Sequence, residues 1–238
     1  MVFECVSRTH VGLRRQVNED SLMVRTDRGL WAVADGMGGH DAGDVASAKV
    51  TEALAELPVV YGIDELVQSA NAALQRANRD LIDLAGSGSA ERTIGSTVVG
   101  LAIAGQQFRC FWAGDSRAYR VRGGQIAQLT KDHSLVQSLV DAGMLAPDEA
   151  ENHPNANVIT RAVGVGDELL VDTVGGDVAT GDLFLLASDG LTRLVDDSEI
   201  LAELSSHAPD DAADRLVEAV LARGAPDNVS LIIVANRN

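Results

Sequence analysis

The chain predicts an α+β fold in which antiparallel sheets are covered by helical layers. Two observations carry this. Apolar segments of strand length arrive in consecutive groups, and segments with a helical stripe arrive in pairs. A doubly wound parallel sheet would alternate the two strictly. With 238 residues, 46% of them hydrophobic, the chain can bury a substantial core and lies well outside the disordered class.

Phe3–Thr9, Ser21–Thr26 and Leu30–Ala34 read as strands, rich in Val and bulky apolar residues. A helix over about Asp44–Leu57 follows a run of Gly and Asp suited to capping. A second, about Asp64–Ala85, carries Leu66, Val67, Ala70, Ala73, Leu74, Ala77, Leu81 and Leu84 as one apolar stripe. The middle is strand-rich: Thr93–Ala104, Gln107–Ala113, Arg117–Arg122 and Ile126–Leu129, with Gly105-Gln106 and Gly123-Gly124 as hairpin turns. From Lys131 to Ala162 the chain turns polar, with a helical patch near Leu135–Ala142 and Pro147 and Pro154 as breakers, and reads as an inserted flap. Strands return at Leu169–Val174 and Leu183–Ala187, helices at Asp197–Ser205 and Asp210–Ala222, and a last strand at Val229–Ala235. No linker interrupts this order, so residues 1–238 are expected to form one domain.

The formal charge is −16, from 19 Lys and Arg against 35 Asp and Glu. That argues against nucleic acid and anionic membranes, since no basic face could track phosphates. Cys5 and Cys110 lie far apart without metal-binding spacing, which points to reduced thiols. There is no basic-then-apolar leader and no apolar run of about 18 residues, so the expected location is the cytoplasm.

The chemistry is carried by acidic residues at element boundaries. Strand Leu30–Ala34 runs into Asp35-Gly36-Met37-Gly38-Gly39-His40, and strand Leu183–Ala187 into Ser188-Asp189-Gly190. A carboxylate at the end of a buried strand costs free energy unless something pairs with it, and glycine after it lets the backbone come close to whatever is bound. Asn18-Glu19-Asp20 precedes a strand, Gly114-Asp115-Ser116-Arg117 turns between two, and Pro226-Asp227-Asn228 leads into the last. Oxygen-only donors of this kind suit Mg2+ or Mn2+. Two such ions sharing a carboxylate suit phosphate ester hydrolysis, and Arg15 could fork onto phosphate oxygens. Taken singly, each has an ordinary reading: Asp-Gly is usually a turn, Asp115 a hairpin corner, Arg15 a surface arginine beside Arg14, and His133 a structural residue. A dinucleotide cradle at Gly36-Met37-Gly38-Gly39 fails, because Asp41 stands where its third glycine belongs.

The ordered set resembles the metal-dependent protein phosphatase family, protein phosphatase 2C, in its compact bacterial form. The matching segments are Arg15 with Asn18-Glu19-Asp20, Ala34 to His40, Gly95-Ser96-Thr97, Gly114 to Tyr119, Asp132-His133-Ser134, Ile159 to Gly164, Ser188 to Leu191, and Asp227-Asn228. The resemblance implies a four-layer α-β-β-α sandwich of two antiparallel sheets flanked by helix pairs. It implies a Ser/Thr phosphoprotein phosphatase that uses a metal-bridged hydroxide and opposes a Ser/Thr protein kinase. Asp35 would bridge two Mn2+ or Mg2+ ions. Asp189 and Asp227 would hold one of them. Asp20, Glu19 and the Gly36 carbonyl would serve the other. Asp115 with Asp189 would take a third, weaker ion. Arg15 would bind phosphate, Asn18 and Asn228 would brace their loops, and 131–162 would be the flap. Animal members carry a histidine where this chain has Met37, which leaves His40, a metal-bound water or no protein acid to protonate the leaving group. Phosphorylated proteins are the expected partners and a monomer the expected state. A phosphoprotein-binding pseudophosphatase and a small-ester phosphatase are the alternatives.

Overall fold

A computed structural model describes residues 2–38, 42–86, 93–150 and 153–237. In chain order its elements are β1 (Phe3–His10), β2 (Asp20–Arg25), β3 (Leu30–Met37), α1 (Gly43–Ala55), α2 (Ile63–Gly86), β4 (Gly95–Ser96), β5 (Val98–Ala104), β6 (Gln107–Ala113), β7 (Arg117–Arg122) and β8 (Gln125–Gln128). They continue with α3 (Leu135–Asp141), α4 (Pro147–Ala150), β9 (Asp172–Asp177), β10 (Leu183–Ala187), α5 (Asp189–Thr192), α6 (Asp197–Ser206), α7 (Pro209–Ala222) and β11 (Val229–Asn236). Among the described residues the strands form two antiparallel sheets, ordered β1-β11-β10-β7-β8 and β2-β3-β5-β6-β9, with the short β4 on the end of β3.

Alternation along each strand sorts the apolar side chains into layers. On β3, Trp31 and Val33 face the other sheet, while Leu30, Ala32 and Ala34 face the helices. On β10, Phe184 and Leu186 point inward, and Leu185 and Ala187 point to α6 and α7. On β11, Ile232 and Val234 point inward, and Leu231 and Ile233 outward. These strands are buried on both faces, which is why they read as unbroken apolar runs. One core lies under α1 and α2, one under α6 and α7, and a third between the sheets. The result is the expected α-β-β-α sandwich. Cys5 and Cys110 are both unpaired.

Several local expectations shift. The strand expected over Thr93–Ala104 is broken at Thr97, which turns aside to hydrogen-bond Asp35. The strand placed at Leu169–Val174 begins at Asp172, opposite Trp112; Leu169 is apolar because it packs under α2. Pro147 does not break a helix but opens α4, where its missing N–H costs nothing. Helix α1 has no side-chain cap at Ala42, and Asp44 instead accepts the neighbouring Val45 N–H. Asp35 does not end its strand, since β3 continues to Met37, and Asp189 opens the unforeseen helical turn α5.

The two Asp-Gly glycines answer to the protein's own backbone. A Cβ on Gly36 would sit 1.9 Å from the Gly43 carbonyl oxygen, and one on Gly190 would sit 1.8 Å from that of Asn228. Gly36 therefore lets α1 close on β3, and Gly190 lets α5 close on the start of β11. Gly190→Ala is expected to cost about 1–3 kcal/mol, the usual range for overpacking. Denaturant unfolding measures it, and an unchanged midpoint would contradict the close approach.

Candidate active site

The alternation that fills the inter-sheet core also determines what stands at its end. Asp35 continues the inward row of Trp31 and Val33. Asp20 pairs with it in register on β2. Ser188 continues the inward row of Phe184 and Leu186, and Ser230 precedes Ile232 on the inward face of β11. One end of an apolar layer is thus polar. Ser188 Oγ donates to Asp20 Oδ2 at 2.9 Å and accepts the Ser230 N–H at 3.0 Å. Ser230 Oγ lies 2.7 Å from Thr9 Oγ1, and Asn18 Nδ2 donates to the same Thr9 oxygen.

The acidic residues gather here from distant parts of the chain. Asp189 is the acidic neighbour that acts most strongly on the Asp35 carboxyl. Burial, then repulsion from Asp189, Asp20, Asp115 and Asp227, pushes the Asp35 carboxyl well above the usual carboxylate range. Asp20 and Asp115 are pushed up to about 7, in both cases chiefly by burial. Asp189 is raised by burial against the pull of Arg193, and Glu19 is raised by burial against the pull of Arg15. Asp20 Oδ1 and Asp115 Oδ1 are buried without a hydrogen-bond partner.

Backbone clamps hold these groups. Asp35 N–H donates to Thr97 Oγ1 at 3.1 Å, and Thr97 N–H returns to the Asp35 carbonyl at 2.8 Å. Ser96 Oγ donates to the same carbonyl at 3.0 Å. Asn228 Oδ1 accepts the Glu19 N–H at 2.8 Å, while its Nδ2 donates to the carbonyls of Val11 and Val17. Asn18 Oδ1 accepts the Asp20 N–H. Asn228 thus ties the 11–19 loop to the start of β11, and Asn18 links Thr9 to Asp20. Arg15, about half exposed, donates to Asp227 Oδ2 at 2.9 Å and stands 4.0 Å from Glu19. Asp115 sits in the β6–β7 turn. His40 lies outside the described residues.

His133 has a structural place near the start of the 131–162 segment. Its Nδ1 accepts the Gly114 N–H, its ring stacks on Trp112, and its Nε2 faces Asp172 and Arg161. The two ends of that segment are joined by Leu135 N–H to the Val158 carbonyl and Thr160 N–H to the His133 carbonyl.

Sequence reasoning missed Arg193. It stands one helical turn after Asp189, and the i, i+4 spacing was the available signal. Its Nε lies 2.8 Å from Asp189 and its Nη2 lies 3.2 Å from Asp115. The serine hydroxyls and Thr97 were also unassigned, because only the paired sheets show what they touch.

The donor set fits a hard divalent cation: it is all oxygen, mostly carboxylate, largely buried, and has two orphan oxygens. Among the described residues no three acidic side chains are already drawn into a coordination shell. Asp227 is paired with Arg15, and Asp115 and Asp189 with Arg193.

A sequence profile described as Protein phosphatase 2C matches residues 3–138. The serine/threonine protein phosphatase PstP of Mycobacterium tuberculosis is 38% identical over 240 residues, covering 98% of this chain and 45% of PstP. The chain thus spans about half the length of that relative. The protein phosphatase PhpP of Streptococcus pneumoniae is 37% identical, with 95% of each chain covered. A structure titled PppA, a key regulatory component of T6SS in Pseudomonas aeruginosa, superposes with a TM-score of 0.90 at 41% identity, covering 99% of this chain and 98% of PppA. The catalytic domain of PstP, solved with 2 manganese ions, superposes with a TM-score of 0.89 at 35% identity over 99% of both chains.

The raised carboxyls set a pH dependence for protein stripped of divalent ions. Their proton affinity is higher folded than unfolded, so they contribute stability when protonated. That contribution is lost as pH rises from about 4 through about 7. The melting temperature of stripped protein should fall over this window, and excess Mn2+ should reverse the fall. A melting temperature that rises or stays level from about pH 4 to 7 in chelator would contradict the crowding.

Proposed function

The chain belongs to the protein phosphatase 2C family, and from that premise we propose that it hydrolyses phosphoserine and phosphothreonine in proteins. The observation that carries the reading is the convergence of Asp20, Asp35, Asp115 and Asp189 on one end of the inter-sheet core, with Asp227 and Arg15 beside them. The whole chain acts as one catalytic domain, with 131–162 as its flap, because both sheets and the loops between them supply the site.

Asp35, Asp189 and Asp227 would hold one Mn2+ or Mg2+ ion, and Asp35 with Asp20, Glu19 and the Gly36 carbonyl a second. Asp115 and Asp189 would take a weaker third. Bound there, the ions would polarise the phosphate and acidify a water. The rest falls to the protein's own groups. Thr97 and Ser96 keep the Asp35 main chain in place, and Asn228 does the same for Glu19. Arg15 bonds Asp227 through one Nη, which leaves other N–H groups of its fork for phosphate oxygens. Hydrolysis joins a water oxygen to phosphorus and breaks the bond to the Ser or Thr oxygen, which leaves with a proton. Partners are phosphorylated proteins, and the opposing enzyme is a Ser/Thr kinase. No helix among the described residues is long and apolar enough to cross a membrane.

Purified protein is expected to release phosphate from a phosphothreonine peptide with Mn2+ and to stop in EDTA. Turnover that persists in EDTA would overturn the metal-dependent reading. Arg15→Lys keeps the charge but loses the fork, so kcat/KM should fall roughly 10-fold or more. Asp115→Ala should raise the Mn2+ concentration needed for half-maximal rate while leaving the fold intact. An unchanged metal requirement would reduce Asp115 to a hairpin corner.

A further inference from the structure

Arg193 touches three separate parts of the molecule. Its Nε lies 2.8 Å from Asp189 Oδ2 on α5, and its Nη2 lies 3.2 Å from Asp115 Oδ2 in the β6–β7 turn. Its Nη1 donates to Asn157 Oδ1 in the flap. Asp115 is only 4% exposed, and its other carboxylate oxygen has no partner. A cavity of about 150 Å3 opens beside these groups, walled by Asp115, Arg117, Asp132, Asn157, Asp189 and Arg193. Arg117 is held by a fork onto Asp132, so it is not free to serve Asp115.

We propose that Arg193 is a resident cation that holds the Asp115–Asp189 position in place of a divalent ion and ties the flap to it through Asn157, so that an ion arriving there releases the flap. The argument is geometric and electrostatic. A guanidinium and a divalent ion cannot share two buried carboxylates without strong like-charge repulsion. Arg193 is about a third exposed and has the adjoining cavity to move along, whereas Asp115 and Asp189 are fixed on their elements. When the guanidinium withdraws, its bond to Asn157 is lost with it. The flap therefore follows the occupancy of the weakest ion site, and Arg193 is a positioning residue that does not itself touch the reacting phosphate. The identity of the ion rests on the phosphatase reading; the coupling between Arg193, ion and flap does not.

The test uses protein stripped with chelator. Calorimetric titration with Mn2+ should show the weakest binding step tightened about 5-fold or more in Arg193→Met, because the competing cation is gone. Amide hydrogen exchange over residues 153–162 should rise in the wild-type protein as that step saturates. In Arg193→Met it should be high from the start and unresponsive to Mn2+. Arg193→Lys keeps a charge but cannot reach three partners, so its weak-step affinity should stay near wild type while exchange in the flap is raised. An unchanged weak step in Arg193→Met, or wild-type exchange that does not respond to Mn2+, would overturn the proposal; the second result needs no variant. Intact coupling in a protein without turnover would count against the phosphatase reading and leave this one standing.

Discussion

Crowding of carboxylates at the end of the inter-sheet core is the constraint to which the neighbouring structure answers. Asp115 is buried and Asp20, Asp35 and Asp189 are partly so, and each is raised chiefly by loss of solvent, with repulsion from its acidic neighbours adding to it. Without compensation such a cluster would drive the sheets apart or hold its protons. The structure compensates with the Ser188 hydroxyl on Asp20 and two guanidiniums at the rim. The remaining deficit, including two orphan oxygens, is what a divalent cation would fill.

Holding the carboxylates there takes an outer set of contacts that carry no charge of their own. Thr97 leaves its strand to clamp the Asp35 main chain at both N–H and carbonyl. Asn228 spends its whole amide on the 11–19 loop, which brings Glu19 and Asp20 to β3. Gly36 and Gly190 let α1 and α5 approach within distances that any side chain would forbid. These contacts fix the backbone, and the carboxylates themselves are held by Ser188, Arg15 and Arg193.

The 131–162 segment, the proposed flap, is joined to this end of the molecule at two levels. Its base is anchored by main-chain bonds around His133, whose ring also receives the Gly114 N–H beside Asp115. Farther out, Asn157 meets Arg193, which also faces Asp115 and Asp189. A change at the carboxylates therefore has a short physical route to the flap, through one side chain and not through the core.

Much of this was legible in the sequence. Buried strands such as Leu30–Ala34 and Leu183–Ala187 announce themselves because both faces need apolar residues, and α2 does so by its 3.6-residue stripe. Acidic residues placed where apolar runs stop were equally visible, because carboxylates are out of place there without a partner. What only the tertiary structure decided is how they meet. Register sets Asp20 against Asp35, the packing of one sheet on the other brings β10 and β11 over that pair, and the break at Thr97 lets that residue bond the Asp35 main chain. For Arg193 the chain offers only the i, i+4 spacing to Asp189; its other two partners, Asp115 and Asn157, come from distant segments and meet it only once the fold is assembled.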